Sequence, residues 1–412
     1  MQPITVFPWA LTGLMLVCLW WKYRKLKPVL EETVRALIGY YLLLLCARTM
    51  QWTLSPLQSL TQLAFGANGG VLNSEVYAAL LLEKYGNPAM LALVVAFCVN
   101  LLLARWTRGK GVYTTGHHFL YTAMFTVFLF SSGTSLLAPV VVLLGGVLTG
   151  TWCWFTATYN RHMTQRVVGQ SGVCMANSCI FASVIGLVSG KIAPDDKRYG
   201  NESNLDGFHN IPFLAFGGML FVYLLLCLCA GTQQSRALLG DGIPLAVNCL
   251  IRSLCFAAQI YLLFQGMQMM LANLIGALWE LANRFAPGHW TALDASAMLS
   301  FSPKAWRAGF VACSLGGAVS MAVLILLRAP FIPLFSLSSF YFMGGVAGIY
   351  GNACGGRRSA WLAGFLSGMV SVFLISVMMR HCSDGTQWGA SFGESEYALY
   401  GLLLQRLMKI LR

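Results

Sequence analysis

Charge is what this chain has least of. Its 412 residues include 27 Lys+Arg and 14 Asp+Glu, 10 % of the total, where a soluble globular chain carries about 25 %. The scarcity excludes a charge-rich disordered protein. With 57 % hydrophobic residues and a mean hydropathy of +0.67, it also excludes a water-soluble fold, which could not hide so much apolar surface. Nucleotide and paired-cysteine signatures are missing too. There is no phosphate-cradling Gly-x-x-x-x-Gly-Lys loop and no Cys-x-x-Cys pair. The chain is therefore not expected to energise anything by hydrolysing ATP itself. No basic run is interleaved with aromatics across a soluble stretch, so the net charge of +13 points to positive cytoplasmic loops and not to a nucleic-acid partner. Thirteen cysteines look numerous, but Cys18, Cys46, Cys98, Cys227, Cys229, Cys249 and Cys255 sit in apolar runs and read as small apolar residues. Disulfides are not expected. Cys227 and Cys229, two apart on a helix, point away from each other.

What the chain has instead is long apolar runs, at 10–21, 34–50, 89–105, 119–132, 136–155, 180–190, 213–231, 243–278, 308–327 and 361–379. One crossing uses about 20 residues. The expectation is an all-α polytopic membrane protein of about ten transmembrane helices, a single membrane domain over 1–412. Basic segments at 22–27 and 105–110 should face the cytoplasm, leaving the N-terminus outside. The polar stretch 191–210 reads as a cytoplasmic loop. Residues 393–412 read as a basic amphipathic tail (Tyr397, Leu399, Leu402, Leu403, Leu407) suited to the membrane interface. Segments 66–70, 114–118, 169–172, 287–289 and 344–356 mix glycine with polar groups beside apolar runs. In lipid such irregular backbone survives only where protein or a wet cavity satisfies it. Half-membrane hairpins framing a substrate site are the expectation; close helix packing through glycine is the alternative.

Acids discriminate further. Ten of the fourteen fall in evident loops or near the termini: Glu31, Glu32, Asp195, Asp196, Glu202, Asp206, Asp241, Asp384, Glu394 and Glu396. Glu75, Glu83, Glu280 and Asp294 remain near membrane depth, where an ionisable group costs several kcal/mol and is a functional candidate. Glu83 precedes Lys84, which suggests an interfacial pair, and Glu280 lies four residues before Arg284, the spacing of a helical ion pair. Asp294 has no basic neighbour at helical spacing and is the leading candidate for ligand contact. His117 opens a span after Thr-Thr-Gly and offers a second polar contact; His118 is expected to pack or cap. Two adjacent histidines make no metal site without a third ligand, so no metal and no cofactor are expected.

In these residues the sequence resembles the ascorbate-type membrane subunit (enzyme IIC) of the bacterial phosphoenolpyruvate-dependent phosphotransferase system. The resemblance rests on Gly66-Ala67-Asn68-Gly69 with Tyr77-Ala78, on Thr115-Gly116-His117, and on Gly172 with Phe181-Ala182-Ser183 and Ala193-Pro194. It continues in Gln265-Gly266, Pro287-Gly288, Asp294, Ser300-Phe301-Ser302-Pro303, Phe331-Ile332-Pro333 and Gly355-Gly356-Arg357. It implies an all-helical fold with a core bundle carrying half-membrane hairpins and a second bundle that builds a homodimer in the inner membrane. A IIB partner, itself phosphorylated on cysteine, would phosphorylate the sugar at the cytoplasmic face, so the phosphoryl-donor residue lies outside this chain. Tyr77, His117 and Asp294 match the family's sugar contacts, and Asp294 would also act in catalysis. Two stretches depart from the family: Tyr121-Thr122 stands where it has Gln-Gln, and Asn177-Ser178-Cys179-Ile180 where it has His-Gln-Gln-Gln. Tyr121, Asn177 and Ser178 are thus expected substrate contacts with altered hydroxyl discrimination, and the cargo is ascorbate or a related sugar or polyol. A secondary transporter and a degenerate sugar-sensing paralogue are the alternatives.

Overall fold

A computed structural model describes residues 6–176, 180–200 and 210–411. Thirteen α-helices account for most of them: α1 (Val6–Tyr23), α2 (Leu26–Phe65), α3 (Ser74–Trp106), α4 (Gly116–Gly133), α5 (Ala138–Val168), α6 (Ile180–Ile192), α7 (Ile211–Ala230), α8 (Thr232–Leu239), α9 (Leu245–Phe285), α10 (Pro303–Leu326), α11 (Leu337–Met379), α12 (Ser383–Thr386) and α13 (Ser395–Leu411). Six of these, α3, α5, α7, α9, α10 and α11, are long and apolar enough to cross a bilayer. The chain is a multi-pass, all-α membrane protein. Helix α3 packs on α4 and α5, α11 on α6 and α10, and α9 on α2 and α7.

The interrupted segments resolve into two different devices. Four become strand or turn. Residues 66–70 close α2 at Gly66, whose φ of 66° is left-handed, and run into strand β1 (Asn68–Leu72). Residues 114–118 follow β2 (Gly111–Val112) into α4, 169–172 lead to β3 (Val173–Met175), and 287–289 turn into β4 (Trp290–Leu293). With β5 (Phe331–Leu334) and β6 (Ala390–Ser391) they form two small parallel sheets, ordered β5-β1-β6 and β2-β4-β3. Parallel pairing follows from the helical connections between the strands.

The fifth segment, 344–356, is a packing surface for most of its length. Helix α11 runs unbroken through Gly344, Gly345, Gly348 and Gly351, and only Gly355 and Gly356 depart from helical geometry. A Cβ on Gly309 of α10 would lie 2.1 Å from the Gly344 carbonyl oxygen, and one on Gly348 would lie 2.3 Å from the Ala305 oxygen. Only backbones without side chains can approach this closely, the small-residue contact of membrane helices. At the kink, Gly356 has φ +79° and its carbonyl neighbourhood receives the start of the 191–210 segment. Asp195 donates its N–H to the Gly355 oxygen (2.7 Å) and Arg357 its N–H to the Lys197 oxygen (2.8 Å).

One local expectation changes. Glu83 pairs with Arg48 (Nε to Oε1, 3.1 Å), brought in from α2, and not with Lys84, whose ammonium lies over the Tyr85 ring instead. The final helix, α13, keeps Leu403 on its exposed face. Tyr397, Ala398, Tyr400, Leu404 and Met408 are buried against α4 and α11, and Tyr400 stacks on Trp152 with ring centroids 4.8 Å apart.

Candidate functional site

Each strand of the two sheets feeds a helix N-terminus, and the residues just past β1, β2, β4 and β6 line a single cavity of about 460 Å³. Helix N-termini carry partial positive charge and unpaired N–H groups, so they suit acidic side chains. Glu75 stands in the first turn of α3, behind an N-cap in which Asn73 Oδ1 accepts the Val76 N–H at 2.9 Å. Glu394 immediately precedes α13. Its carboxylate accepts a hydrogen bond from Ser74 Oγ, and Ser74 Oγ in turn accepts the Gly393 N–H at 3.0 Å. Asp294 stands at the N-cap position of a short 3₁₀ helix, Ala295–Phe301, without a side-chain hydrogen bond to it. From α4 come His117, His118 and Tyr121. Apolar walls are supplied by α9 (Phe264, Met267, Leu271) and α11 (Phe342, Met343, Val346), with Gln268 the polar exception on α9.

Asp294 is bracketed by both histidines, one on each carboxylate oxygen. His117 Nε2 lies 3.4 Å from Oδ2 and His118 Nε2 3.8 Å from Oδ1. The sequence spacing left Asp294 without a basic partner; the fold supplies two from an element 177 residues away in the chain, by way of the β2–β4 pairing that sets Val112 beside Thr291. The same pairing provides the third ligand that the adjacent histidines lacked. The ligand atoms of His117, His118 and Asp294 lie within 4.8 Å of one another, a nitrogen and oxygen donor set of the kind that borderline transition metals accept.

Three polar atoms here are buried without a partner among the described residues: Tyr121 Oη, Thr115 Oγ1 and His118 Nδ1. Buried polar groups are normally paired, so these atoms are unmet hydrogen-bonding capacity beside the cavity. Of the expected contacts, the structure brings His117, Tyr121 and Asp294 to the cavity. Tyr77, fully buried, lies behind it, edge-on to Phe392 at 4.8 Å and beside Trp388 and Phe128. Asn177 and Ser178 lie outside the described residues.

Sequence reasoning missed more than it misplaced. His118 lines the cavity, where packing or capping was expected. Glu394 was assigned to a loop near the terminus and is a cavity wall; Glu396, also assigned there, is 1 % exposed and accepts the Phe181 N–H at 2.9 Å. A signal existed. Gly70-Val71-Leu72-Asn73-Ser74-Glu75 and Gly389-Ala390-Ser391-Phe392-Gly393-Glu394 are both short runs ending in an acid at the entrance of a helix with a tyrosine in its first turns. The β1–β6 register matches Leu72 with Ser391, three residues before Glu75 and Glu394 respectively.

The comparisons agree with this architecture. The sequence profile described as "EIIC-GAT: PTS system sugar-specific permease component" matches residues 9–396. The "Ascorbate-specific PTS system EIIC component" of Mycoplasma pneumoniae (strain ATCC 29342 / M129 / Subtype 1) is 22 % identical over 415 residues, covering 87 % of this chain. The matched region spans 62 % of that relative's length. With the profile matching nearly the whole chain, the protein belongs to the EIIC-GAT family of phosphotransferase-system sugar-specific permease components.

Proposed function

We propose that this protein is the membrane subunit of a sugar phosphotransferase system. It takes ascorbate or a related sugar or polyol across the bacterial inner membrane and presents it to a phosphorylated IIB partner. The observation that carries this reading is the cavity itself: acceptor carboxylates, imidazoles and a phenol converge at helix N-termini between apolar walls, inside a membrane bundle. Polar groups few in number and fixed in place are what orients a small ligand.

In this reading Asp294 accepts a hydrogen bond from the cargo hydroxyl that will be phosphorylated. As that oxygen attacks phosphorus, its proton passes to Asp294, and the phosphoryl group leaves the IIB cysteine, which departs as thiolate. His117 and His118 hold the carboxylate in place from both oxygens. Tyr121 contacts the cargo, and Tyr77 sets the first turns of α3 from behind. Asn177 and Ser178 complete the contact set. The chain crosses about ten times, counting shorter apolar helices and half-membrane hairpins, with its N-terminus outside. A second bundle joins two copies as a homodimer. Uptake should require phosphorylated IIB and deliver phosphorylated product. Free cargo accumulating in cells that lack the general phosphotransfer proteins would refute the coupling and favour a secondary transporter.

A further inference from the structure

We infer that Cys227 and Cys249 are an oxidisable pair, which a hydroperoxide converts to a disulfide that joins α7 to α9 at the end of the bundle opposite the 191–210 segment. This is a covalent modification site apart from the cavity, and it holds whichever cargo the cavity takes.

The two residues lie 22 positions apart on separate helices, so spacing offered no reason to pair them, yet the fold brings their Sγ atoms to 3.8 Å. Cys227 is in the last turn of α7 and Cys249 at the start of the second turn of α9, with α8 in the connection. Both side chains are buried; Cys229, two residues along α7, is exposed.

The backbones on either side of the sulfurs are pinned. From α8, Ser235 Oγ donates to the Gly231 oxygen at 2.8 Å and to the Cys227 oxygen at 3.3 Å. Beside Cys249, Asn248 Nδ2 donates to the Leu239 oxygen at 2.9 Å. One turn deeper, Arg252 donates from Nε to Asn248 Oδ1 at 2.9 Å and from Nη1 to the Trp52 oxygen at 2.8 Å, with its guanidinium over the Trp52 ring. Tyr223 Oη donates to the Thr53 oxygen, so α2 is tied to both cysteine-bearing helices. A disulfide bond is about 2.05 Å long. Side-chain rotation with a small helix shift closes the remaining gap, and holding the thiols in contact removes most of the entropy cost of their meeting.

Helix α7 is one crossing. In the topology proposed above its start is cytoplasmic, so the cysteines stand at the outer end, where thiols are not kept reduced. The oxidant is a hydroperoxide, and hydrogen peroxide is small and uncharged enough to reach a buried pair. One thiolate attacks a peroxide oxygen, the O–O bond breaks, and water leaves after protonation, which gives a sulfenic acid. The second thiolate attacks that sulfur and expels its oxygen as a second water. The two sulfurs together lose two electrons and the peroxide gains them.

The test treats full-length protein in nanodiscs with hydrogen peroxide, then denatures, alkylates, digests and maps it by mass spectrometry. Trypsin cuts between the two cysteines at Arg236. The expected product joins the peptides bearing Cys227 and Cys249, is two hydrogens lighter than the reduced pair, and disappears with dithiothreitol. Cys229→Ser should keep the link, and Cys227→Ser or Cys249→Ser should abolish it. A closed loop restricts the unfolded chain, so peroxide should raise the wild-type Tm by a few degrees, reversibly with dithiothreitol, and leave that of Cys227→Ser without a reversible rise. The wild-type map decides even if a variant fails to fold. Recovery of both cysteines as alkylated thiols after peroxide would overturn the inference, and so would a link that Cys229→Ser removes.

Discussion

Asp294→Asn isolates the chemistry of the carboxylate from its shape. The substitution keeps the size and one acceptor, removes the charge, and turns an NH₂ toward one of the two imidazoles now at 3.4 and 3.8 Å. Losing one charge-assisted hydrogen bond to a cargo hydroxyl costs about 1.5–3 kcal/mol, which weakens binding roughly ten- to 150-fold. If Asp294 also takes the hydroxyl proton, phosphoryl transfer falls by a further factor of about 10²–10⁴. Folding should be nearly untouched. The side chain is 38 % exposed to the cavity, and a half-open ion pair contributes about 1 kcal/mol or less. The assay measures cargo Kd in nanodiscs, phosphoryl transfer in vesicles supplied with phosphorylated IIB, and Tm in detergent. The expected pattern is weaker binding, a larger loss of transfer and a Tm within a few degrees of wild type. Wild-type binding and transfer would refute the role given to Asp294. So would a collapse of Tm large enough to account for the whole defect.

Three other outcomes follow from the structure. Zn²⁺ should compete with cargo, because His117, His118 and Asp294 present three donor atoms within 4.8 Å; His118→Ala should abolish the competition, and cargo binding indifferent to Zn²⁺ would show that the donors cannot converge. Gly309→Ala should lower Tm and yield sharply, since its Cβ would lie 2.1 Å from the Gly344 oxygen and 2.6 Å from the Gly348 Cα. Overpacking typically costs about 1–3 kcal/mol, and a wild-type melt would mean α10 and α11 are not in contact there. Asp196→Cys, on the exposed stretch docked against the α11 kink, should react with an impermeant thiol reagent only from the cytoplasmic side; labelling from outside would invert the topology.

Much of the membrane architecture was legible because burial in lipid leaves a one-dimensional trace. The run at 89–105 falls inside α3, and those at 136–155, 213–231 and 308–327 coincide with parts of α5, α7 and α10, overrunning one end by a residue or two. The run at 243–278 is most of the single helix α9. Less legible was what an interrupted run becomes. Glycine with polar neighbours marks a strand at 66–70 and a helix contact at 344–351, and both demand a missing Cβ. At Gly69 the obstacle is the Thr61 side chain, with Oγ1 2.4 Å from where a Cβ would be; at Gly344 it is Cys313 Cβ at 2.3 Å. The obstacles come from elsewhere in the fold, so the local sequence is the same kind of signal in both.

The site shows the same division more sharply. Asp294 stood out because it is an acid in a small-residue segment, and His117 because it opens a helix. Glu394 did not, because Gly-Glu-Ser-Glu reads as a polar turn near the end of the chain. What makes it a cavity wall is the parallel pairing of β1 with β6, which sets the start of α13 beside the start of α3. That pairing joins segments more than 300 residues apart, and β6 is only two residues long, too short to leave a pattern of alternation. Yet the acids obey one local rule. Glu75, Asp294 and Glu394 each lie at the entrance of a helix, where the unpaired N–H groups lower the cost of holding an anion inside a membrane protein. A bundle that gathers several helix entrances around one space can concentrate carboxylates there, which a continuous transmembrane helix facing lipid cannot do. The small sheets therefore do more than brace the bundle. By ending several strands at the same place they decide where the chain can keep its few acids, and so where a hydroxyl-rich ligand can find acceptors.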